Sequence, residues 1–130
     1  MIYLDSCALV KLLRAEPESA ALADHLAATD APLVSSELAQ VEIHRTLIRV
    51  GADEQDHRLV EELLDSIEQL PLEPALRMAA RLPGPSLRSL DALHLATARR
   101  LGVALTEFLT YDTRLAAAAT DAGLLVTAPK

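Results

Sequence analysis

Residues 2–12 read IYLDSCALVKL and show the unit from which an α/β fold is built, an apolar run followed by a helix-like segment. The first three residues of this stretch, Ile2 to Leu4, are apolar and predict a short buried strand that ends at Asp5. Ser6 is a residue type that caps helices, and we expect it to open a helix that runs through Leu13. The chain therefore begins with a strand followed directly by a helix.

The same alternation of strands and helices continues along the chain. Further strands are predicted at residues 32–34, 71–73, 105–111 and 124–127, and further helices at 17–28, 36–50, 53–70, 74–82, 89–101 and 113–122. Alternating strands and helices predict one α/β domain over residues 1–130, a parallel β-sheet flanked by α-helices on both faces. In such sheets ligands bind beyond the carboxyl ends of the strands, which is where Asp5 and Asp112 are expected to lie.

Composition favours a small intracellular globular protein. With 130 residues, 51% of them hydrophobic, the chain can bury a single core. No apolar run approaches the ~20 residues that a membrane span needs, and the start lacks a basic, apolar leader. Cys7 is the only cysteine, which excludes an internal disulfide and a thiolate zinc cluster, so we expect Cys7 to be a small core residue and the protein to be cytoplasmic.

The formal net charge of −7 does not exclude a nucleic-acid partner. Residues 53–68 hold seven acids and one base, whereas the rest of the chain holds twelve acids and eleven bases. If four of those twelve acids bind cations, the remaining surface carries a positive surplus. The charge therefore leaves the class of partner open.

Four acids occupy positions where a carboxylate is costly. Asp5 and Asp112 follow apolar strands, Glu42 lies within a helix between Val41 and Ile43, and Asp91 opens an apolar helix. Burying an unpaired carboxylate costs several kcal/mol, so a cation partner is expected. Clustered carboxylate oxygens are the ligands that Mg²⁺ and Mn²⁺ prefer. Two such cations, ~3.5–4 Å apart, could activate a water and neutralise a phosphodiester undergoing hydrolysis.

Each acid also has an ordinary structural interpretation. Asp5 and Asp112 could be helix N-caps, and Asp91 could favour a helix N-terminus through the helix dipole. Glu42 could pair on the surface with Arg45 and Arg49. His94 is interpreted as a residue of the helix face, since none of the histidines has the spacing of a metal site. The four acids taken together are explained better by a shared site.

The ordered motifs resemble those of PIN-domain ribonucleases, specifically the VapC-type toxins of toxin–antitoxin pairs. The matching stretches are residues 2–12, SSEL at 35–38 with Glu42 and Arg45, LRSLDALHLA at 87–96, FLTYDTRL at 108–115, Gly123-Leu124 and Pro129. They span the whole chain in the order that the family shows.

The resemblance implies a metal-binding and catalytic quartet of Asp5, Glu42, Asp91 and Asp112, with support from the Ser6 or Thr110 hydroxyl. It further implies RNA as substrate, Mg²⁺ as cofactor with Mn²⁺ as a substitute, a homodimer and a VapB-type antitoxin that enters the active-site groove. The apolar faces of helices 17–28, 36–50 and 53–70 are also consistent with a homodimer. Cys7 stands where the family often has Ser or Asn.

Three other classes of protein share some of these features. A phosphoacceptor signalling domain would need an acidic pair after the first strand and a lysine near a late strand end, but Lys11 and Lys130 are the only lysines. A haloacid-dehalogenase-like phosphatase would need a second aspartate two residues after Asp5. A non-catalytic PIN-like RNA-binding or scaffold protein remains an alternative, which the intact quartet disfavours.

Overall fold

The computed structural model describes all residues from Met1 to Lys130 and contains one five-stranded parallel sheet. The strand order is β3-β2-β1-β4-β5. The strands are β1 Ile2–Leu4, β2 Leu33–Ser36, β3 Glu68–Leu70, β4 Glu107–Leu109 and β5 Val126–Thr127. The helices are α1 Ser6–Leu13, α2 Ser19–Ala27, α3 Leu38–Arg49, α4 Glu54–Asp65, α5 Leu76–Ala79, α6 Ser89–Arg99 and α7 Thr113–Asp121. Short 3₁₀ turns occupy Glu73–Ala75 and Gly102–Ala104. The predicted α/β fold with a parallel sheet is confirmed.

Helices cover both faces of the sheet because successive side chains of a strand point to opposite faces. On β1, Ile2 and Leu4 pack in a core with α1, α3 and α4. The intervening Tyr3 packs on the other face with α6 and α7. The apolar run at the start of the chain is therefore buried on both sides, as the central strand of a parallel sheet requires.

The strand order creates a switch point between β1 and β4. From β1 the chain builds one half of the sheet through β2 and β3, and it then returns to build the other half from β4. Ligand-binding crevices in open α/β sheets form at such points, outside the carboxyl ends of the strands. Asp5 directly follows β1, and Asp112 lies three residues after the end of β4.

The predicted boundaries between residues 53 and 82 are wrong. The acidic helix opens at Asp53 with a capping box, as expected, but it ends at Asp65, and residues 68–70 form β3. The predicted strand at 71–73 is not formed, since Pro71 and its neighbours lead into a 3₁₀ turn. Pairing of β3 with β2, a contact between distant segments, overrides the helical spacing of Ile67 and Leu70.

Other elements start or end a few residues away from the prediction. The second strand extends to Ser36, yet the Ser36 hydroxyl still accepts a hydrogen bond from the Leu38 amide at the start of α3. The strand predicted at 105–111 is confined to Glu107–Leu109, and the last strand to two residues. No helix in the structure combines the length and the apolar character that a membrane span would require.

Candidate active site

A cleft of about 350 Å³ opens at the carboxyl ends of β1 and β4. The structure brings all four predicted acids to it, each from a different part of the fold. Its lining comprises Asp5, Ser6, Cys7, Val10, Glu16, Glu42, Thr46, Asp91, His94 and Asp112. A larger cavity of about 620 Å³ lies between α6, α7 and the loop around Gly84, and none of the four acids lines it.

Asp5 is the most buried of the four acids, with 3% of its surface exposed. It caps α1 by accepting a hydrogen bond from the Ala8 amide at 2.8 Å, so the expectation that Ser6 caps this helix is wrong. The other carboxylate oxygen accepts from the buried Thr110 hydroxyl. Burial raises the pKa of Asp5, although both of these hydrogen bonds favour the ionised form. The carboxylate is thus held rigidly at considerable electrostatic cost.

Thr110 supports the site from below rather than lining the cleft. Its hydroxyl donates to Asp5 and accepts from the Asp112 amide at 3.1 Å. One side chain therefore connects the chain segments that carry the first and the last acid.

Glu42 is held through one of its two oxygens. Its Oε1 accepts from the Ser6 hydroxyl and from His94 Nε2, each at 2.5 Å. Burial acts to raise the pKa of Glu42, but the hydrogen bonds and charge from His94, together with Ser6, outweigh it and lower the pKa. Neither Arg45 nor Arg49 forms an ion pair, so the proposed surface pairing of Glu42 is wrong.

His94 is a member of the site that the sequence interpretation missed. The side chain is 2% exposed, and its Nδ1 lies 2.7 Å from the Tyr3 hydroxyl. The prediction that His94 is a residue of the helix face is wrong, because the side chain is buried beside the acids. The sequence feature that could have indicated His94 is its place on a strongly apolar helix, one turn after Asp91.

Asp112 and Asp91 both lie at the N-terminal ends of helices. Asp112 caps α7, where its Oδ1 accepts from the amides of Arg114 and Leu115 at 2.8 and 2.9 Å. Asp91 lies in the first turn of α6 and accepts no hydrogen bond from the protein. Burial raises the pKa of Asp91, and the negative charges of Asp112 and Glu42 raise it further, against the opposing effect of His94 and Arg88.

Cys7 and the histidines other than His94 add neither a nucleophile nor a second group of metal-binding side chains to the cleft. Cys7 is half-buried and lines the cleft instead of packing in the core, and burial raises its pKa to about 12. A neutral thiol is a poor nucleophile. His25 pairs with Glu107, and His44 pairs with His57, both away from the cleft.

The donor set fits a hard divalent cation in its chemistry. No three acidic, histidine or cysteine side chains are arranged as a ready-made metal-binding group. Nevertheless, Glu42 and Asp112 each keep one oxygen without a protein donor, and Asp91 keeps both. Oxygen-rich carboxylate sets of this kind suit Mg²⁺ and Mn²⁺ better than softer metals.

Comparisons with known proteins agree with this architecture. The PIN domain family model matches residues 2–121. The chain is 40% identical over 133 residues to Ribonuclease VapC47 of Mycobacterium tuberculosis, a match that covers 99% of this chain and 97% of the relative.

Solved structures are similar in fold at low sequence identity. Mycobacterium tuberculosis VapC20, described as a Sarcin-Ricin loop cleaving toxin, superposes with a TM-score of 0.77 at 14% identity, covering 96% of this chain and 97% of VapC20. A toxin-antitoxin complex from Klebsiella pneumoniae superposes with a TM-score of 0.68 at 18% identity, covering 88% of each chain.

Replacing Asp91 by asparagine tests whether the acids form one charged cluster. In EDTA at neutral pH, we expect Asp91→Asn to melt at the wild-type temperature or above it, because the change removes a carboxylate that accepts no hydrogen bond and is repelled by Asp112 and Glu42. The same variant should lose RNA cleavage. Melting curves in EDTA and in Mg²⁺, paired with a cleavage assay, measure both effects.

The matched control is Glu61→Gln, which neutralises an exposed acid on α4. Its stability should stay within about 0.5 kcal/mol of wild type, and its cleavage should be unchanged. An Asp91→Asn protein that is less stable in EDTA and fully active would remove Asp91 from the site.

Proposed function

This chain belongs to the PIN-domain family, among its VapC-type ribonucleases, and from that premise we propose that it cleaves RNA with Mg²⁺ held by Asp5, Glu42, Asp91 and Asp112. Mn²⁺ is proposed as a substitute for Mg²⁺. The observation that carries the proposal is the convergence of four carboxylates, from four separate segments, on one cleft at the switch point of the sheet. A cation in this cleft would supply activation of a water and neutralisation of phosphate charge.

The chain's own residues contribute rigidity and free oxygens. Asp5 is fixed through both carboxylate oxygens by Ala8 and Thr110. Glu42 and Asp112 are each fixed through one oxygen and present the other. Because these groups are already held, binding a cation requires little reorganisation of the protein. Ser6 and Thr110 are assigned supporting roles through Glu42 and Asp5 respectively.

Two exposed arginines flank the acids and suit the RNA backbone. Arg88 directly precedes α6, which carries Asp91, and Arg114 lies in the first turn of α7, beside Asp112. Guanidinium groups bind phosphate oxygens strongly and in a defined orientation. We assign both to phosphates of the bound RNA, Arg88 beside Asp91 and Arg114 at the neighbouring cavity that it lines, whereas the acidic helix α4 is left outside the RNA contact.

The proposed domain extends over residues 1–130, beyond the matched residues 2–121. Support comes from β5, which pairs with β4 and completes the sheet, and from the Tyr111 hydroxyl, which donates to the Pro129 carbonyl at 2.9 Å. A cytoplasmic location is proposed because RNA is the substrate and the one cysteine is a free thiol.

A cleavage assay with a single-stranded RNA pool tests the activity. Purified protein should cut RNA in Mg²⁺ or Mn²⁺ and stop in EDTA, and Asp112→Asn should lose cleavage because it weakens the carboxylate set. Glu61→Gln is the control and should cut at the wild-type rate. Cleavage that persists in EDTA, or RNA binding without cleavage, contradicts the proposal; the second result supports a non-catalytic RNA-binding protein instead.

A homodimer is proposed from exposed apolar side chains on α3. The apolar stripe of α4 is used within the monomer, where Val60 and Leu64 are buried. On α3, however, Val41 and Ile48 are 62% and 54% exposed. They are seven residues apart and thus lie on one side of the helix. Leu76 on α5 and Leu90 on α6 add further exposed apolar surface.

Charge introduced on α3 should disrupt this dimer. We expect wild-type protein to sediment as a dimer at micromolar concentration and Ile48→Glu to sediment as a monomer, since the change buries a carboxylate at the interface. Val103→Glu, which alters a fully exposed valine in a turn, is the control and should remain dimeric. A strictly monomeric wild-type protein would contradict the proposal.

A VapB-type antitoxin is the proposed inhibitory partner, docking an arginine or lysine against the four acids. Support comes from the similarity to a chain of a toxin-antitoxin complex and from the negative charge of the cleft. A cationic side chain and a metal would satisfy the same oxygens. Rising Mn²⁺ concentration should therefore weaken antitoxin binding, measured by titration. Affinity that does not change with Mn²⁺ would contradict docking at the acids.

A further inference from the structure

Three buried or half-buried side chains form a hydrogen-bonded series that ends on Glu42. Tyr3 in β1 contacts His94 Nδ1 at 2.7 Å, and His94 Nε2 contacts Glu42 Oε1 at 2.5 Å. Tyr3 is fully buried and its ring stacks on Phe108, with centroids 5.3 Å apart and planes 4° apart. The series therefore connects a carboxylate of the cleft to the buried central strand of the sheet.

The charge of Glu42 fixes the direction of its hydrogen bond with His94. The ionised Glu42 carboxylate can only accept, so His94 Nε2 carries the hydrogen that it donates. The second ring nitrogen, Nδ1, pairs with the Tyr3 hydroxyl, so both ring nitrogens of His94 have a hydrogen-bond partner. Burial holds the pKa of Tyr3 well above its ordinary value, and the charges of Asp5 and Glu42 add to the effect, so the phenol keeps its proton.

These hydrogen bonds fix the orientation of the Glu42 carboxylate. Glu42 Oε1 accepts from both His94 and Ser6, so rotation of the carboxylate would break two hydrogen bonds at once. Its Oε2 receives no hydrogen bond from the protein, while the side chain is 21% exposed at the cleft. Of the four acids, Glu42 alone lies within a helix rather than at a helix N-terminus, so no backbone amide is available to hold it.

We propose that His94 and Tyr3 are positioning residues that orient Glu42 so that its Oε2 faces the bound cation. This inference rests on the proposed function, since it concerns the same cleft. Partners that hydrogen-bond to a metal ligand typically contribute 10- to 100-fold to metal affinity. His94 is thus assigned to cation affinity through Glu42, without contact with the substrate.

Two substitutions of His94 separate positioning from packing. Glutamine can place an amide N–H where Nε2 donates to Glu42, whereas the shorter asparagine reaches only the Nδ1 position. We expect His94→Asn to weaken Mn²⁺ binding by about 10- to 100-fold, and His94→Gln to stay much closer to wild type. The measurement is calorimetric titration of Mn²⁺ into metal-stripped full-length protein, with melting curves in EDTA to verify folding.

A tyrosine variant tests the other end of the series, and a histidine outside the cleft provides the control. Tyr3→Phe keeps the ring stacked on Phe108 and removes the hydroxyl that pairs with Nδ1, so Mn²⁺ affinity should fall several-fold. Because the buried Nδ1 loses its partner, the melting temperature in EDTA should fall as well, while the variant still unfolds in one cooperative transition. His25→Asn breaks another histidine–glutamate pair, with Glu107 at 2.7 Å, outside the cleft. Its Mn²⁺ affinity should equal that of wild type.

The outcomes distinguish this inference from the proposed function. A wild-type protein that binds no Mn²⁺ contradicts the proposed function itself. If wild type binds Mn²⁺ and the asparagine and glutamine variants bind it equally, whether weakly or well, positioning by His94 is overturned. Should His94→Asn fail to fold, Tyr3→Phe decides: Mn²⁺ affinity equal to wild type overturns the inference, and a loss of affinity in a protein that still unfolds cooperatively in EDTA supports it.

Discussion

Four carboxylates converge on one cleft, and the elements that carry them must offset their mutual repulsion. Three of the acids lie at helix N-termini: Asp5 caps α1, Asp112 caps α7 and Asp91 lies in the first turn of α6. Free amides and the positive end of the helix dipole stabilise negative charge there. Glu42, within α3, has no such environment and receives His94 and Ser6 instead. The helices packed around β1 and β4 therefore place three of their N-termini where they stabilise the negative charge of the cleft.

Asp5 and Asp112 cap helices and also line the cleft, so the structural interpretation of these two residues does not exclude the proposed functional one. Capping uses one oxygen of Asp112 and one of Asp5, and an aspartate has a second oxygen to offer elsewhere. For Asp5 that second oxygen is bound by Thr110. A preference for aspartate at a helix N-cap therefore does not argue against a role in a site. What distinguishes the site is the convergence of several such caps on one cleft.

Local sequence patterns predicted the elements that local forces determine. The strand–Asp–helix pattern at residues 2–12 is formed as expected, because apolar run, cap and helix are all encoded within a few residues. The β3 strand was missed because its pairing with β2 joins residues more than thirty positions apart. The contact of Tyr3 with His94 spans 91 positions and had no local signal either. Each acid taken singly had an ordinary structural interpretation, and only the four together predicted a shared site. Which of their oxygens remain free is defined by the fold alone.

The central position of β1 also constrains the order of events during synthesis. Ile2 pairs with Glu107, so β1 gains its second neighbour only after the more than one hundred residues between them have been made. Asp112 follows later still, and the hydroxyl that fixes Asp5 belongs to Thr110. Pairing between such distant segments is slow to form compared with local contacts. Until Thr110 and Asp112 have been made, the chain therefore carries three of its four acids without the complete cleft that holds them in the folded protein.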